Sequence, residues 1–264
     1  MEYEGYEALK VFRRDQIVEV RFNRPEKYNA TDSQMHRELV RVFPEIGRDP
    51  DARVVILTGE GKYFSSGGDL TSMKLGLEDH GHWVSGMNEA REVLMGVIDL
   101  DVPVIARING DANGMAANLA LACDMTIADE TAKISDSHVM IGLVAGDGGS
   151  ILWPDLIGYA RAKKYLLTGA PLTCAEAAAI GLITEAVPAD QLDERVEELA
   201  RRVIRVPTMA ARLTKRAINM GLKRKMVDLM EAHLGLETMS HLSEDHAEAI
   251  HAFIEKRKPN FVGR

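Results

Sequence analysis

His138 and Asp147 are the two residues of this sequence whose side chains are best suited to moving a proton near neutral pH. Histidine titrates near neutrality and is the commonest general acid or base. A carboxylate that accepts a hydrogen bond from the other ring nitrogen would fix its tautomer and raise its basicity. Asp147 follows His138 by nine residues. The two residues are therefore a candidate dyad, and the alternative interpretation is a polar strand end followed by a turn-forming aspartate.

Three glycine-rich turns could supply the second half of such a site. They are Ser66-Gly67-Gly68-Asp69, Asn109-Gly110-Asp111-Ala112-Asn113-Gly114 and Ala145-Gly146-Asp147-Gly148-Gly149. Glycine tolerates close approach and unusual dihedral angles, so such turns can point backbone N–H groups at a ligand. Two N–H groups that converge on one carbonyl oxygen would form an oxyanion hole. Tight turns without a catalytic role remain the alternative.

The elements that must position these residues alternate between strands and helices. Apolar, β-branched runs predict strands at residues 17–22, 53–59 and 103–108, and a helix is predicted from Thr31 or Asp32 to about Ile46. Residues 71–82 are mixed and polar, and we expect a mobile loop there. Strand, turn and helix alternate through the first two thirds of the chain, which predicts the α/β class.

A boundary is predicted at Val206-Pro207, which divides a core of residues 1–206 from a helical region of residues 207–264. The second region is amphipathic, and its apolar face needs a partner surface. We therefore interpret it as an oligomerisation segment or a lid.

Composition excludes several classes of protein. The 264 residues are 46% apolar, which allows a sizeable core, and the net charge of −8 argues against a nucleic-acid partner. Two cysteines are too few for a disulfide framework. The chain has no basic-then-apolar leader and no uncharged apolar run approaching the ~20 residues that span a bilayer. We expect a cytoplasmic protein without a membrane partner.

Ordered motifs cover nearly the whole chain. They are Asn23-Arg24-Pro25 with Asn29-Ala30, residues 54–59, Phe64-Ser65-Ser66-Gly67-Gly68-Asp69-Leu70, Pro103-Val104-Ile105-Ala106 with Asn109-Gly110, Cys123-Asp124, Leu167-Thr168-Gly169, residues 177–183 and residues 253–259. Together and in this order, they resemble the crotonase (enoyl-CoA hydratase/isomerase) superfamily.

The resemblance implies a crotonase fold, in which β-β-α turns stack into a superhelical core and a C-terminal helical region builds trimers or hexamers. It implies a coenzyme A thioester as substrate, with no separate cofactor and no metal. The carbonyl oxygen of the substrate would lie between the N–H groups of Gly68 and Met115. Further substrate-binding positions implied by the motifs are Lys27, Asn29, Ser66, Asp69, Leu70 and Asn118.

The chain departs from the family at the two glutamates that hydratases place around the reacting water. Asn118 occupies the first position and His138 occupies the second. Asparagine does not exchange a proton near neutral pH, so His138 with Asp147 would replace the carboxylate pair. The same histidine–aspartate pattern resembles one branch of the superfamily, the β-diketone hydrolases such as 6-oxocamphor hydrolase. That branch places a further histidine where this chain has Met115.

Three hypotheses follow from these residues. The first is an enoyl-CoA hydratase or isomerase that uses Gly68, Met115, His138 and Asp147. The second is a hydrolase that cleaves a carbon–carbon bond of a small β-diketone with the same four residues. The third is a catalytically silent assembly subunit, which the loss of both glutamates would explain.

Overall fold

The computed structural model describes residues 2–264 and shows two β-sheets surrounded by helices. Within this range the strands are β1 (Leu9–Arg14), β2 (Ile17–Phe22), β3 (Val54–Gly59), β4 (Val104–Ile108), β5 (Ala112–Asn113), β6 (Met125–Asp129), β7 (Lys133–Ser135), β8 (Leu172–Thr173) and β9 (Glu185–Val187). The helices are α1 (Ser33–Gly47), α2 (Leu70–Glu78), α3 (His80–Asp99), α4 (Met115–Ala122), α5 (Gly149–Ile157), α6 (Tyr159–Leu166), α7 (Cys174–Ala179), α8 (Leu192–Arg205), α9 (Thr208–His241) and α10 (Glu244–Ile254).

The larger sheet confirms the α/β class. Its six strands lie in the order β1-β2-β3-β4-β6-β9, and every neighbouring pair except the β1–β2 hairpin is parallel. All six residues of β3 are buried, as expected for a parallel strand covered on both faces. One face packs into the main core, and α8 covers the other face through Leu192, Val196 and Ala200.

The smaller sheet brings the first two glycine turns together. Its strands β5, β7 and β8 lie beside the loop after β3, and Ser65 forms a parallel bridge with Ala112. Gly67 has φ +89°, and a Cβ atom there would lie 2.9 Å from the carbonyl oxygen of Asn113. The contact between the turns therefore requires glycine at this position.

The prediction of a mobile loop at residues 71–82 was wrong. Leu70–Glu78 forms α2, and α3 begins at His80. Asp69 caps α2 by accepting hydrogen bonds from the backbone N–H groups of Thr71 and Ser72. Asp79 caps α3 in the same way. Because aspartate is common both at turns and at helix N-caps, the local sequence did not separate these two outcomes.

The C-terminal helices pack against the core. The long helix α9 lies against α3 and α5, and the buried Lys215 on α9 forms an ion pair with Asp124, with 2.7 Å between Nζ and Oδ2. The division at residue 206 stays a prediction. Apolar side chains remain exposed along α9 and α10, among them Met209, Ile218, Met239 and Phe253. In residues 2–264, no helix has both the length and the apolar character needed to cross a bilayer.

We predict that Gly110→Ala destabilises the protein through the turn that follows β4. An added Cβ would overlap the carbonyl oxygen of Lys62, which belongs to the backbone and cannot easily move away. Overpacking of this kind costs about 1–3 kcal/mol, and each kcal/mol lowers Tm by about 2–4 °C in a chain of this size. Thermal unfolding followed by circular dichroism measures the effect.

The matched control is Gly221→Ala within α9, where an added Cβ meets no atom within 4 Å. Alanine has the higher helix propensity, so this variant should unfold at the same or a higher temperature. A Gly110→Ala protein as stable as the control would contradict the packing described for this turn.

Candidate active site

His138 is held in place by a carboxylate that the sequence analysis did not identify. The histidine is the first residue of a single helical turn, His138–Ile141, which follows β7. Its Nδ1 lies 2.6 Å from Oδ1 of Asp136, and the same oxygen accepts the backbone N–H of His138 at 3.3 Å. Asp136, not Asp147, therefore orients the ring through Nδ1. The spacing of two residues between Asp136 and His138, typical of an Asx turn, was the signal available in the sequence.

The other ring nitrogen of His138 faces two carboxyl groups. Nε2 lies 3.3 Å from Oδ2 of Asp147 and 3.9 Å from Oε1 of Glu237. The structure thus brings His138 and Asp147 together, and it adds Glu237 from α9. Glu237 is 1% exposed and lies in register with the buried residues Met226, Met230 and Leu234 on one face of that helix. A glutamate on the apolar face of a helix was the sequence signal for this residue.

Asn118 supports the two carboxylates that flank His138. Its Nδ2 donates to Oδ2 of Asp136 and to Oδ1 of Asp147, both at 2.9 Å. Its Oδ1 accepts a hydrogen bond from the indole of Trp153 at 3.1 Å. The side chain is fully buried and is not among the residues within 2–264 that line the adjoining pocket. The structure therefore places Asn118 as a link between two carboxylates, outside the lining of the pocket.

The buried charges of the site influence one another. Burial lowers the pKa of His138, but the charges of Asp147 and Asp136 outweigh it and hold this pKa well above the usual value of 6.5. Burial raises the pKa of Asp136, but the neighbouring His138 cation keeps it below its usual range. Burial and the charge of Asp147 hold the pKa of Glu237 well above 4.5. Near neutral pH the arrangement favours an imidazolium at His138, and the protonated form of Glu237 is stabilised.

Two backbone N–H groups remain available beside this cluster. The parallel bridge between Thr31 and Gly68 uses the carbonyl of Gly67 and the N–H of Asp69, so the N–H of Gly68 is left out of it. Met115 is the first residue of α4, where N–H groups have no partner inside the helix. Within residues 2–264 neither N–H group has a hydrogen-bond acceptor.

Gly114 joins these donors to the histidine. Its φ is +56°, and a Cβ atom there would lie 3.5 Å from Cε1 of His138 and 4.0 Å from Cα of Gly67. The turn before Met115 is thus in contact with both the first glycine turn and the imidazole. The positive φ favours glycine at this position, whereas an added Cβ would make only ordinary van der Waals contacts.

A single pocket contains these groups. Its lining includes Gly68, Met115, His138, Asp147 and Glu237, and its other wall comes from α1 and α3. The free volume inside is about 100 Å³. The two N–H donors and the proton-transfer groups can therefore act on one bound molecule.

The other predicted substrate-binding residues lie in different places. Asp69 lines the pocket, caps α2 and contacts Arg24 at 3.3 Å. Asn29 is fully buried and donates to the carbonyl groups of residues 60 and 63, so it holds the loop together. Within residues 2–264, three of the predicted residues do not line the pocket. Lys27 and Ser66 are exposed, and Leu70 is the first residue of α2.

Asp136, His138 and Asp147 are also the group best placed to hold a metal ion, because one ligand atom from each lies within 4.8 Å of the others. The 2.6 Å separation between Nδ1 of His138 and Asp136 is a direct hydrogen bond with no room for an ion between the atoms. The arrangement fits a protonated imidazole between two carboxylates better than a metal centre.

Comparisons with known proteins show to which family the chain is similar. The family model for enoyl-CoA hydratase/isomerase matches residues 13–264. A probable enoyl-CoA hydratase of Mycobacterium tuberculosis is 32% identical over 98% of this chain and 99% of its own length. A crotonyl-CoA hydratase of Syntrophomonas wolfei is 31% identical over 98% of this chain and 100% of its own length. A crystal structure of an enoyl-CoA hydratase/isomerase from Mycobacterium paratuberculosis superimposes with a TM-score of 0.90 at 30% identity, covering 94% of this chain and 99% of the other.

We predict that His138 titrates well above 6.5 in the folded protein and that Asp136→Asn lowers this pKa, because one of its two adjacent negative charges is removed. Below the unfolded-state pKa both states carry the proton, so the stabilisation from the His138 cation is complete there. It is lost as the pH rises through the folded-state pKa. Histidine NMR titration, with the His138 signal assigned by its absence in His138→Gln, measures the shift.

Asp32→Asn is the matched control, since Asp32 also lines the pocket but makes no hydrogen bond or ion pair to His138. It should leave the pKa of His138 close to that of the unchanged protein. A His138 pKa near 6.5 in the unchanged protein, or one that Asp136→Asn does not lower, would contradict the charge arrangement described here.

Proposed function

The chain belongs to the enoyl-CoA hydratase/isomerase family, and on this premise we propose that it hydrates or isomerises the double bond of an acyl-CoA thioester. The observation that supports this proposal is the meeting of three groups in one pocket. These are the free N–H groups of Gly68 and Met115 and the Nε2 edge of His138.

The two N–H groups act on the thioester carbonyl. Negative charge accumulates on the carbonyl oxygen as an enolate forms, and two fixed donors stabilise that charge without reorganising. The Met115 donor stands at the N-terminus of α4, where the helix dipole also favours negative charge. Loss of one such donor typically costs about 2.7–4 kcal/mol of transition-state stabilisation. Because both donors belong to the main chain, their side chains need not be those of other family members.

His138 and Asp147 carry the proton in this proposal. Asp147 takes a proton from water as its oxygen adds to the β-carbon, and the electrons of the double bond move to the carbonyl oxygen. His138 then gives its Nε2 proton to the α-carbon. Return of the proton from Asp147 to His138, across 3.3 Å, restores the starting state. In an isomerisation the same pair removes a proton from one carbon and returns it at another.

Coenzyme A enters as part of the substrate, and the proposed chemistry requires no other cofactor. The pocket lining in residues 2–264 contains no lysine or arginine, so we place the coenzyme A phosphates outside it. Lys27 is exposed and precedes by four residues Thr31, which lines the pocket and donates its backbone N–H to the carbonyl of Gly67. The proposal also includes a cytoplasmic homotrimer or hexamer, supported by the exposed apolar side chains of α9 and α10.

Hydrolysis of a carbon–carbon bond in a small β-diketone is the second candidate. The observation that favours it is a histidine held between Asp136 and Asp147, an arrangement in which Asp147 can take a proton from water beside the imidazolium. A diketone also needs no basic side chain for phosphates. At position 115 this chain offers only the backbone N–H, because a methionine side chain does not donate a hydrogen bond to a carbonyl.

We predict that the protein turns over crotonyl-CoA and that His138→Ala lowers kcat by about 10²–10⁴-fold, the usual contribution of a general acid or base. The assay follows loss of the absorbance of the conjugated thioester. His251→Ala removes an exposed histidine of α10 and is the matched control, with activity expected to be unchanged.

Turnover that survives His138→Ala would contradict the proposed role of this residue. Failure of the unchanged protein on crotonyl-CoA, together with His138-dependent cleavage of a cyclic β-diketone, would favour the second candidate. Failure on both substrates would support a silent assembly subunit.

A further inference from the structure

The wall of the pocket contributed by α1 and α3 contains a polar pair that the proposed reaction does not use. His36 on α1 and Glu89 on α3 both line the pocket. Nδ1 of His36 lies 3.7 Å from Oε2 of Glu89, and the two side chains are 15% and 19% exposed. This separation is too long for a direct hydrogen bond.

His36 is neutral in this position. Burial lowers its pKa to about 4, although the nearby charge of Asp147 acts in the opposite direction. His36 lines the same pocket as His138 and Asp147. Within residues 2–264, Nδ1 of His36 is buried and has no hydrogen-bond partner. A buried polar atom left without a partner is costly, so it is a good candidate for contact with a ligand.

We propose that His36 and Glu89 bind a hydroxyl group on the acyl chain of the substrate, beyond the reacting double bond. This inference rests on the proposed function and names a narrower substrate class, hydroxylated enoyl-CoA thioesters. His36 and Glu89 are then residues that determine specificity, separate from the proton-transfer pair.

The geometry suits a hydroxyl group in particular. An oxygen placed about 2.8 Å from each atom fits across the 3.7 Å gap. It accepts the proton of Nδ1 from the neutral imidazole and donates its own proton to the Glu89 carboxylate. A ketone could accept but not donate, and a hydrocarbon chain would satisfy neither group. Sites that bind a substrate hydroxyl discriminate against analogues that lack it, because their polar groups are then left unpaired.

The test compares substrates of equal shape that differ in one group. Trans-4-hydroxybut-2-enoyl-CoA is measured against trans-pent-2-enoyl-CoA, and trans-5-hydroxypent-2-enoyl-CoA against trans-hex-2-enoyl-CoA, so that a methyl group replaces each hydroxyl. We expect at least one hydroxylated substrate to be preferred by about tenfold or more in kcat/KM, mainly through a lower KM.

Substitutions at His36 and Glu89 test whether these two residues cause the preference for the hydroxylated substrate. His36→Phe and Glu89→Leu should each abolish it while the unsubstituted substrates are still turned over. Glu89→Gln keeps an acceptor oxygen and should retain most of it. The control His251→Ala alters an exposed histidine of α10 outside the pocket lining and should leave the ratio unchanged.

Equal use of both members of each substrate pair by the unchanged protein would overturn the inference, as would a preference that survives either His36→Phe or Glu89→Leu. Turnover of the unsubstituted substrates shows in the same assay whether the proposed function holds. If neither type of substrate reacts, the proposed function fails and the inference fails with it.

Discussion

The site depends on one buried contact, in which the His138 ring lies between the carboxylates of Asp136 and Asp147. A charge removed from water is tolerated only when it is paired and hydrogen-bonded. Much of the surrounding structure meets this requirement. Asn118 donates to both carboxylates, and Trp153 donates to Asn118 in turn. The asparagine at a position where related hydratases carry glutamate therefore has a structural reason, since another negative charge there would face two carboxylates.

The backbone contributes as much to the site as the side chains do. The N–H groups that we propose as oxyanion donors are placed by the contact between two glycine turns, and that contact depends on the loop after β3 bridging β5. Parallel strands end at the same edge of the sheet, so the loops that follow them are neighbours. Side-chain variation can then change the acid and base while the carbonyl-binding geometry stays as it is. Under the proposed function, a family member without the two glutamates would therefore keep the same backbone donors for a thioester carbonyl.

The sequence predicted the features that have local signals. Buried strands, the glycine turns and the α/β class follow from short patterns, and ordered motifs identified the family. The role of Asp136 was missed because an aspartate two residues before a histidine is a weak signal by itself. Glu237 was missed because it reaches His138 from α9, almost a hundred residues later in the chain. His36 and Glu89 likewise meet only because α1 packs against α3.

The most direct test of this account is a crystal structure with acetoacetyl-CoA, a thioester whose enolate resembles the proposed intermediate. The account predicts that the thioester oxygen lies about 3 Å from the backbone nitrogens of both Gly68 and Met115. It also predicts that the α-carbon faces Nε2 of His138. A thioester oxygen bound elsewhere, or an α-carbon turned away from His138, would contradict the proposed oxyanion hole and the assignment of His138.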